Sequence, residues 1–333
     1  MKTDAIQTGN GAKNGVDKNG NENHADHHAL DNGWDLARIV TDLRAARTRS
    51  RQGCIDKGDR EMPSREALRD IMAGFFGVMY PDQFGRPDLT EEGIDYFVGH
   101  RLDETLRALN MQIQRELQFS CNAEEDHTVK HATKALRVTR EFAAKLPQIA
   151  ALLESDVRAG YQGDPAAKSI DEVRFCYPGV TAITHHRIAH ELYAMGLPLL
   201  ARIIAELAHS STGIDIHPGA TIGGSFFIDH GTGVVIGETA VIGERVRLYQ
   251  AVTLGAKSFQ VGDDGALVKG VPRHPIVEDD VVIYAGATIL GRIRIGRGST
   301  IGGNVWITRD IPPASRVAQA QARNEAFSDG GGI

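Results

Sequence analysis

Apolar residues fall into two periods along this 333-residue chain, and the change from one to the other divides it. From Trp34 the pattern is helical. Leu36, Ile39, Val40 and Leu43 repeat at i, i+3, i+4 and i+7, as do Leu68, Ile71, Met72 and Phe75. A longer stripe follows at Ile94, Val98, Leu102, Leu106, Leu109 and Ile113. A further helical stretch spans 124–158, with an interruption expected at Pro147 and a close at Gly160. In Gly163-Asp164-Pro165-Ala166 the Pro is preset for a first helical position and the Asp suits the cap before it, so a short helix should open there. A last helical pair covers about 179–209.

From Asp215 to Thr308 the period becomes six. Aliphatic anchors stand at Ile216, Ile222, Ile228, Ile236, Ile242, Leu248 and Leu254, then at Val277, Ile283, Ile289, Ile295, Ile301 and Ile307. A hexapeptide period is the mark of a parallel β-helix, in which stacked coils bury one another's apolar faces inside a narrow prism. The phase slips twice. Two extra residues enter between Asp229 and Val235, and the stretch 255–276 has no anchor; each break holds a histidine. The pattern therefore gives an α+β chain. Residues 1–30 form a polar tail with too few apolar groups to order, 31–212 a helical domain, 213–317 the β-helix, and 318–333 a flexible tail.

Composition narrows the function. Net charge is −6, which provides no basic field for nucleic acid or an anionic membrane. Aromatics are only 6%, poor for base stacking and suited to an aliphatic prism, and 37 glycines fit a tight corner every few residues. Cys54, Cys121 and Cys176 are sparse and form no CxxC, as expected of reduced thiols in the cytoplasm. The longest apolar run, 197–208, is broken by Arg202 and Glu206, so no transmembrane helix is expected, and no signal-peptide core opens the chain.

The irregular positions carry the chemistry. Asp229-His230 sits at the first slip, where a side chain can leave the stacking register. Imidazole, which ordinarily titrates near ~6.5, suits a general base. Asp215 lies 15 residues earlier, close to one 18-residue coil, where a carboxylate could orient that base; a plain turn histidine is the alternative. Arg273-His274-Pro275 closes the second break, a loop long enough to act as a lid. Arg273 there suits either a substrate carboxylate or a structural ion pair. His186 and His190 stand one helical turn apart, a metal-capable spacing, but without the acid of an HExxH pattern they are expected to pack. His24, His27 and His28 fall in the polar tail and are expected to be solvated.

Several motifs occur in order: Asp164-Pro165-Ala166, His186-Arg187-Ile188-Ala189-His190, Asp215-Ile216-His217-Pro218, Asp229-His230-Gly231-Thr232-Gly233, Gly237-Glu238-Thr239-Ala240 and Arg273-His274-Pro275. Over about 155–312 the chain thereby resembles bacterial serine O-acetyltransferases. The resemblance implies a left-handed β-helix that trimerises, often pairing into hexamers. It implies direct acetyl transfer from acetyl-CoA to L-serine, the first step of cysteine biosynthesis, without an acyl-enzyme or a metal. By the same resemblance His230 is the base and Asp215 its orienting acid. Asp164 and Asp229 hold the substrate's amino group, Arg273 and His274 its carboxylate, and Gly255, Ala285 and Gly303 contact acetyl-CoA. L-Cysteine commonly inhibits such enzymes at the serine site. A C-terminal isoleucine, here Ile333, implies capture by O-acetylserine sulfhydrylase. The loop 255–275 is longer than in many relatives, and the solenoid ends Pro312-Pro313-Ala314-Ser315-Arg316-Val317 rather than on the frequent Gly-Val-Pro-Ala. Other readings are acetylation of another hydroxy amino acid or a sugar, a zinc hydratase using His217, His230 and His274, or a scaffold that only grips the sulfhydrylase.

Overall fold

The computed structural model describes residues 34–51, 61–85, 90–120 and 128–319. The N-terminal tail with His24, His27 and His28, as well as Cys54, Cys121 and Ile333, lies outside the described residues. Helix α1 (Leu36–Arg51) belongs to a unit of its own, Met1–Ile55, and carries the first apolar stripe.

The second unit, Asp56–Ile333, begins with seven described helices: α2 (Arg65–Met79), α3 (Pro81–Phe84), α4 (Glu91–Ser120), α5 (Thr128–Gly163), α6 (Ile170–Cys176), α7 (Pro178–Ala194) and α8 (Pro198–Thr212). Their ends follow local chemistry. Ser64 caps α2 by accepting from the Ala67 N–H at 3.2 Å. Pro198 opens α8, whose first free N–H groups, on Leu199 and Leu200, donate to the buried Glu116 carboxylate of α4 at 2.9 and 2.8 Å. Gly213, in the left-handed region at φ 70°, ends it.

Two local expectations change. Helix α5 runs through Pro147 to Gly163, so the proline removes one backbone donor without ending the helix; its neighbours Leu146 and Ile149 are buried in the core and hold it. The short helix after Asp164 is capped by Ser169, which accepts from the Glu172 N–H at 3.0 Å. Asp164 instead accepts from the Ala166 N–H two residues on, the local turn that aspartate often makes.

Among the described residues fourteen short strands follow: β1 (Asp215–Ile216), β2 (Thr221–Ile222), β3 (Phe227–Ile228), β4 (Val235–Ile236), β5 (Val241–Ile242), β6 (Arg247–Leu248), β7 (Thr253–Gly255), β8 (Ile276–Val277), β9 (Val282–Ile283), β10 (Thr288–Leu290), β11 (Arg294–Ile295), β12 (Thr300–Ile301), β13 (Trp306–Ile307) and β14 (Arg316–Val317). They pair in parallel into three sheets, in the orders β1-β4-β7-β10-β13, β2-β5-β8-β11 and β3-β6-β9-β12-β14. Every third strand thus stacks on the coil before, making the left-handed β-helix. All thirteen hexad anchors are buried at 8% exposure or less, each worth about 1.5–3 kcal/mol of apolar transfer. The core is continuous from Leu68 of α2 to Ile307 of β13, so helices α2–α8 and the solenoid share one interior.

The prism has three edges where coils turn. The first edge joins the β1 sheet to the β2 sheet, the second joins the β2 and β3 sheets, and the third returns from β3 to β4. On the third edge the corner 229–234 has six residues where 249–252, 284–287 and 302–305 have four. This is the first phase slip.

Candidate active site

The widened corner places His230 in the left-handed region at φ 59°, between Asp229 and Gly231. Such a backbone costs a non-glycine residue energy; Gly231 and Gly233 at φ 88° and 78° let the chain return to β4. The His230 side chain is 74% exposed, with Nε2 at 3.8 Å from Asp229 Oδ1. The other Asp229 oxygen, Oδ2, accepts from Arg247 Nη2 at 2.7 Å. Arg247 lies one coil further on, its guanidinium 5.1 Å from the Phe227 ring centre and 4.6 Å from that of Tyr249.

Asp164 reaches the same edge from the turn after α5. Its Oδ2 accepts from the Tyr177 hydroxyl at 2.5 Å and its Oδ1 from the Ala166 N–H at 2.8 Å. These bonds, the tyrosine's first, hold its carboxyl below the usual carboxylate range, with Arg247 and His230 adding to the effect. Burial, and then the Asp164 carboxylate, push the Tyr177 phenol well up, so it stays a donor. Gly163 lets the loop pack against the Phe227 ring, and a side chain there would also lie 3.6 Å from Arg247 Nη1. Asp164, Asp229, His230 and Arg247 therefore form one polar group on the third edge.

Asp215 opens β1 beside this corner, in register with Val235, and its N–H donates to the Val234 carbonyl at 2.9 Å. Its carboxylate lies among Glu206 and His209 of α8, with ligand atoms within 4.8 Å of one another, and makes no hydrogen bond to His230 in this rotamer. Ala285 and Gly303 share the third edge one coil apart, a Cβ on Gly303 lying 3.0 Å from the Ala285 carbonyl oxygen. Gly255 is at the far end of its strand, paired with Leu290.

Arg273 and His274 form a second group, on the first edge. Both their N–H groups donate to Thr239 Oγ1, at 2.9 and 3.1 Å. The Thr239 N–H donates to His274 Nδ1 at 3.0 Å, which leaves the proton of the neutral ring on Nε2. Burial, then Arg273, pull this imidazole down to about 4, so at neutral pH it is an uncharged donor. Arg273 Nη2 donates to Glu238 Oε2 at 2.7 Å, and the Tyr193 hydroxyl of α7 donates to Glu238 Oε1 at 3.1 Å. Burial works to raise the Glu238 carboxyl, but these two bonds outweigh it and hold it low. Gly237 lies directly under the His274 ring, where a Cβ would collide with Cδ2 and Nε2.

Of the residues singled out in the sequence, one chain thus brings Asp164, Asp229 and His230 together, with Asp215 beside them, and puts Arg273 and His274 on another edge. His217 and His274 share the first edge while His230 stands on the third, so the three do not converge within one chain. His186 is buried, its Nδ1 unpartnered, and burial keeps its imidazole well below the usual range; His190 donates from Nδ1 to the Pro218 carbonyl at 2.9 Å. That pair packs α7 onto the solenoid. Tyr177, Arg247, Glu238 and Tyr193 were not anticipated as site residues. Glu238 stood within a quoted motif, but Arg247 occupies an outward hexad position that reads as plain surface.

A β-helix of hexads with a histidine and carboxylates on a widened corner defines a hexapeptide-repeat transferase, and residues 274–309 match the family described as bacterial transferase hexapeptide (six repeats). The chain is 57% identical over 316 residues to "Serine acetyltransferase, plasmid" of Synechococcus elongatus, covering 93% of this chain and 98% of that protein. It is 50% identical over 165 residues to the serine acetyltransferase of Mycobacterium tuberculosis, covering 50% of this chain and 68% of the other. Among solved structures, Entamoeba histolytica serine acetyltransferase 1 in complex with L-cysteine superposes with a TM-score of 0.65 at 36% identity, covering 85% of this chain and 98% of that one. The chain belongs to the serine acetyltransferases, and its activity is serine O-acetylation in cysteine biosynthesis. No helix among the described residues is long and apolar enough to cross a membrane.

Proposed function

We propose that the acetyl group comes from acetyl-CoA and that His230 is the general base of a direct transfer. The observation that carries this reading is the six-residue corner, which turns an exposed imidazole out between two carboxylates, Asp229 and Asp164. The imidazole takes the serine hydroxyl proton as the oxygen attacks the thioester carbonyl. The C–S bond then breaks, and the imidazolium returns the proton to the departing CoA sulfur. Asp164, held ionised, and the free oxygen of Asp229 receive the substrate ammonium. Asp215 takes up its orienting role when the exposed His230 ring turns toward β1. Ala285 and Gly303, on the same edge, are the backbone positions for acetyl-CoA, with Gly255 across the sheet.

Arg273 and neutral His274 would bind the substrate carboxylate. Val271 and Glu238 occupy two of the five guanidinium donors, which leaves three for a ligand. Because this group stands on a different edge from His230, we assign it to the site of a neighbouring copy in a trimer, from which hexamers would follow by pairing. Capture of O-acetylserine sulfhydrylase by Ile333 is a separate proposal. L-Cysteine, sharing both charged ends of serine, would compete for the same groups.

Release of CoA thiol from acetyl-CoA, measured with L-serine, L-homoserine and a hexose in turn, tests the acceptor and donor together. Serine-dependent release is expected; release with the sugar but not with serine would overturn the reading. Mixing inactive His230→Ala and Arg273→Ala chains, refolded together, should regain activity if neighbouring copies complete the site, and should stay inactive if they do not.

A further inference from the structure

The guanidinium beside the base has no place in the roles given above. Arg247 extends from β6, and its Nη2 holds Asp229 Oδ2 at 2.7 Å. Its Nε is buried with no partner, so among the described residues the hydrogen bond to Asp229 is what fixes the charged head. The flat faces are packed against Phe227 and Tyr249, and Tyr249 is stacked on Tyr284 at 4.9 Å. A Cβ on Gly163 would lie 3.6 Å from Nη1.

This clamp divides the two oxygens of Asp229. Oδ2 belongs to Arg247, while Oδ1 faces His230 Nε2 at 3.8 Å, too far for a hydrogen bond. We propose that Arg247 is a positioning residue that keeps Asp229 from closing onto His230, and so leaves the imidazole lone pair free to take the serine proton. The proposal rests on the general-base reading of His230. The groups facing this point are Asp229 on the corner itself, Asp215 on β1 with Glu206 and His209 of α8 beside it, Arg247 and Tyr249 on the next coil, Tyr284 beyond it, Asp164 from the turn after α5, and Tyr177 between α6 and α7 with Glu172 acting on it. Among these described groups Arg247 is the permanent cation facing two carboxylates, Asp164 and Asp229.

Without that cation both consequences have the same sign. The Asp229 carboxylate is released to approach the imidazole, and the nearby positive charge is lost; each favours the protonated ring. Activity that needs the free base is then lost at a higher pH than before.

The test uses the full-length protein and its Arg247→Met and Arg247→Lys variants, with serine-dependent thiol release followed from pH 5.5 to 9 at serine well below its KM, where the profile reports the free enzyme. The acid limb of the profile should move up by about 0.5–1 pH unit in Arg247→Met. The rate at pH 5.5 should fall about 3- to 10-fold further than the rate at pH 9, which should stay within about threefold of wild type. Arg247→Lys, which keeps the charge without the planar fork, should return the limb most of the way. An unmoved limb in Arg247→Met, or a rate loss equal at every pH, would overturn the proposal in favour of simple packing. If Arg247→Met does not fold, Arg247→Gln, which also removes the cation, decides on the same two readouts. Serine-dependent release by His230→Ala within tenfold of wild type would instead remove the general-base reading itself.

Discussion

One buried ion pair helps to fasten the helices to the first coil, and breaking it has a calculable cost. Asp156 of α5 and Arg187 of α7 have side chains only 1% and 4% exposed. Arg187 Nε donates to Asp156 Oδ2 at 2.6 Å and Nη2 to Oδ1 at 2.8 Å, a bidentate fork. The same guanidinium donates to the Ile222 and Gly223 carbonyls at 3.2 and 2.8 Å, and the Phe226 N–H donates to Asp156 at 2.8 Å. Burial works to raise the Asp156 carboxyl, and Arg187 opposes it. Asp156→Ala strands a guanidinium and a backbone N–H inside the protein. Removing one partner of a buried pair costs about 3–5 kcal/mol, a large share of a typical ~5–15 kcal/mol. At roughly 2–4 °C per kcal/mol for a unit of this size, Tm should fall by about 6–20 °C. The assay is thermal unfolding followed by circular dichroism, with Asp156→Leu/Arg187→Met as the control. Replacing both charges should recover part of the loss, because the uncompensated charge is gone while the Phe226 N–H and the Ile222 and Gly223 carbonyls stay unpaired. A Tm for Asp156→Ala within about 2 °C of wild type would refute this account of how helices and solenoid are fastened.

Gly237→Ala would drive a methyl into the His274 ring, at about 1–3 kcal/mol of overpacking; serine KM should rise while acetyl-CoA KM holds, which steady-state kinetics would check. Tyr177→Phe removes the strongest bond to Asp164, so serine KM should rise about 3- to 10-fold without loss of thermal stability. His274 supplies a pH dependence of stability. Its folded value of about 4 lies below the ordinary ~6.5 of the unfolded chain. Between those pH values the unfolded state binds more protons, so this contribution is complete above ~6.5 and is lost as pH falls toward 4, at up to ~1.4 kcal/mol per pH unit. Melts at pH 7 and 5 should show a smaller decline in His274→Gln than in wild type.

The β-helix was legible because its period is imposed by packing: each anchor is buried by the coils on either side, so the pattern must repeat. The slip at 229–234 was legible for the same reason, as a departure from that repeat. Pairings distant in sequence left no such mark. Asp156 and Arg187 are separated by 31 residues within helices whose periodicity explains neither charge, and Arg247 stands where a hexad ordinarily shows a solvated side chain. Pro147 misled because a proline's missing donor is a local rule, and the packing of Leu146 and Ile149 overrides it. Ser169 rather than Asp164 became the cap because Asp164 is bound by Tyr177, a contact made only after α6 has turned the chain back.

The central claim is that His230 takes the proton from serine. The direct measurement compares serine-dependent CoA release by wild type and His230→Ala at saturating substrates. A loss of about 10²- to 10⁴-fold in kcat, with acetyl-CoA KM little changed, is the predicted result. A variant that turns over within tenfold of wild type would contradict it and place the base elsewhere.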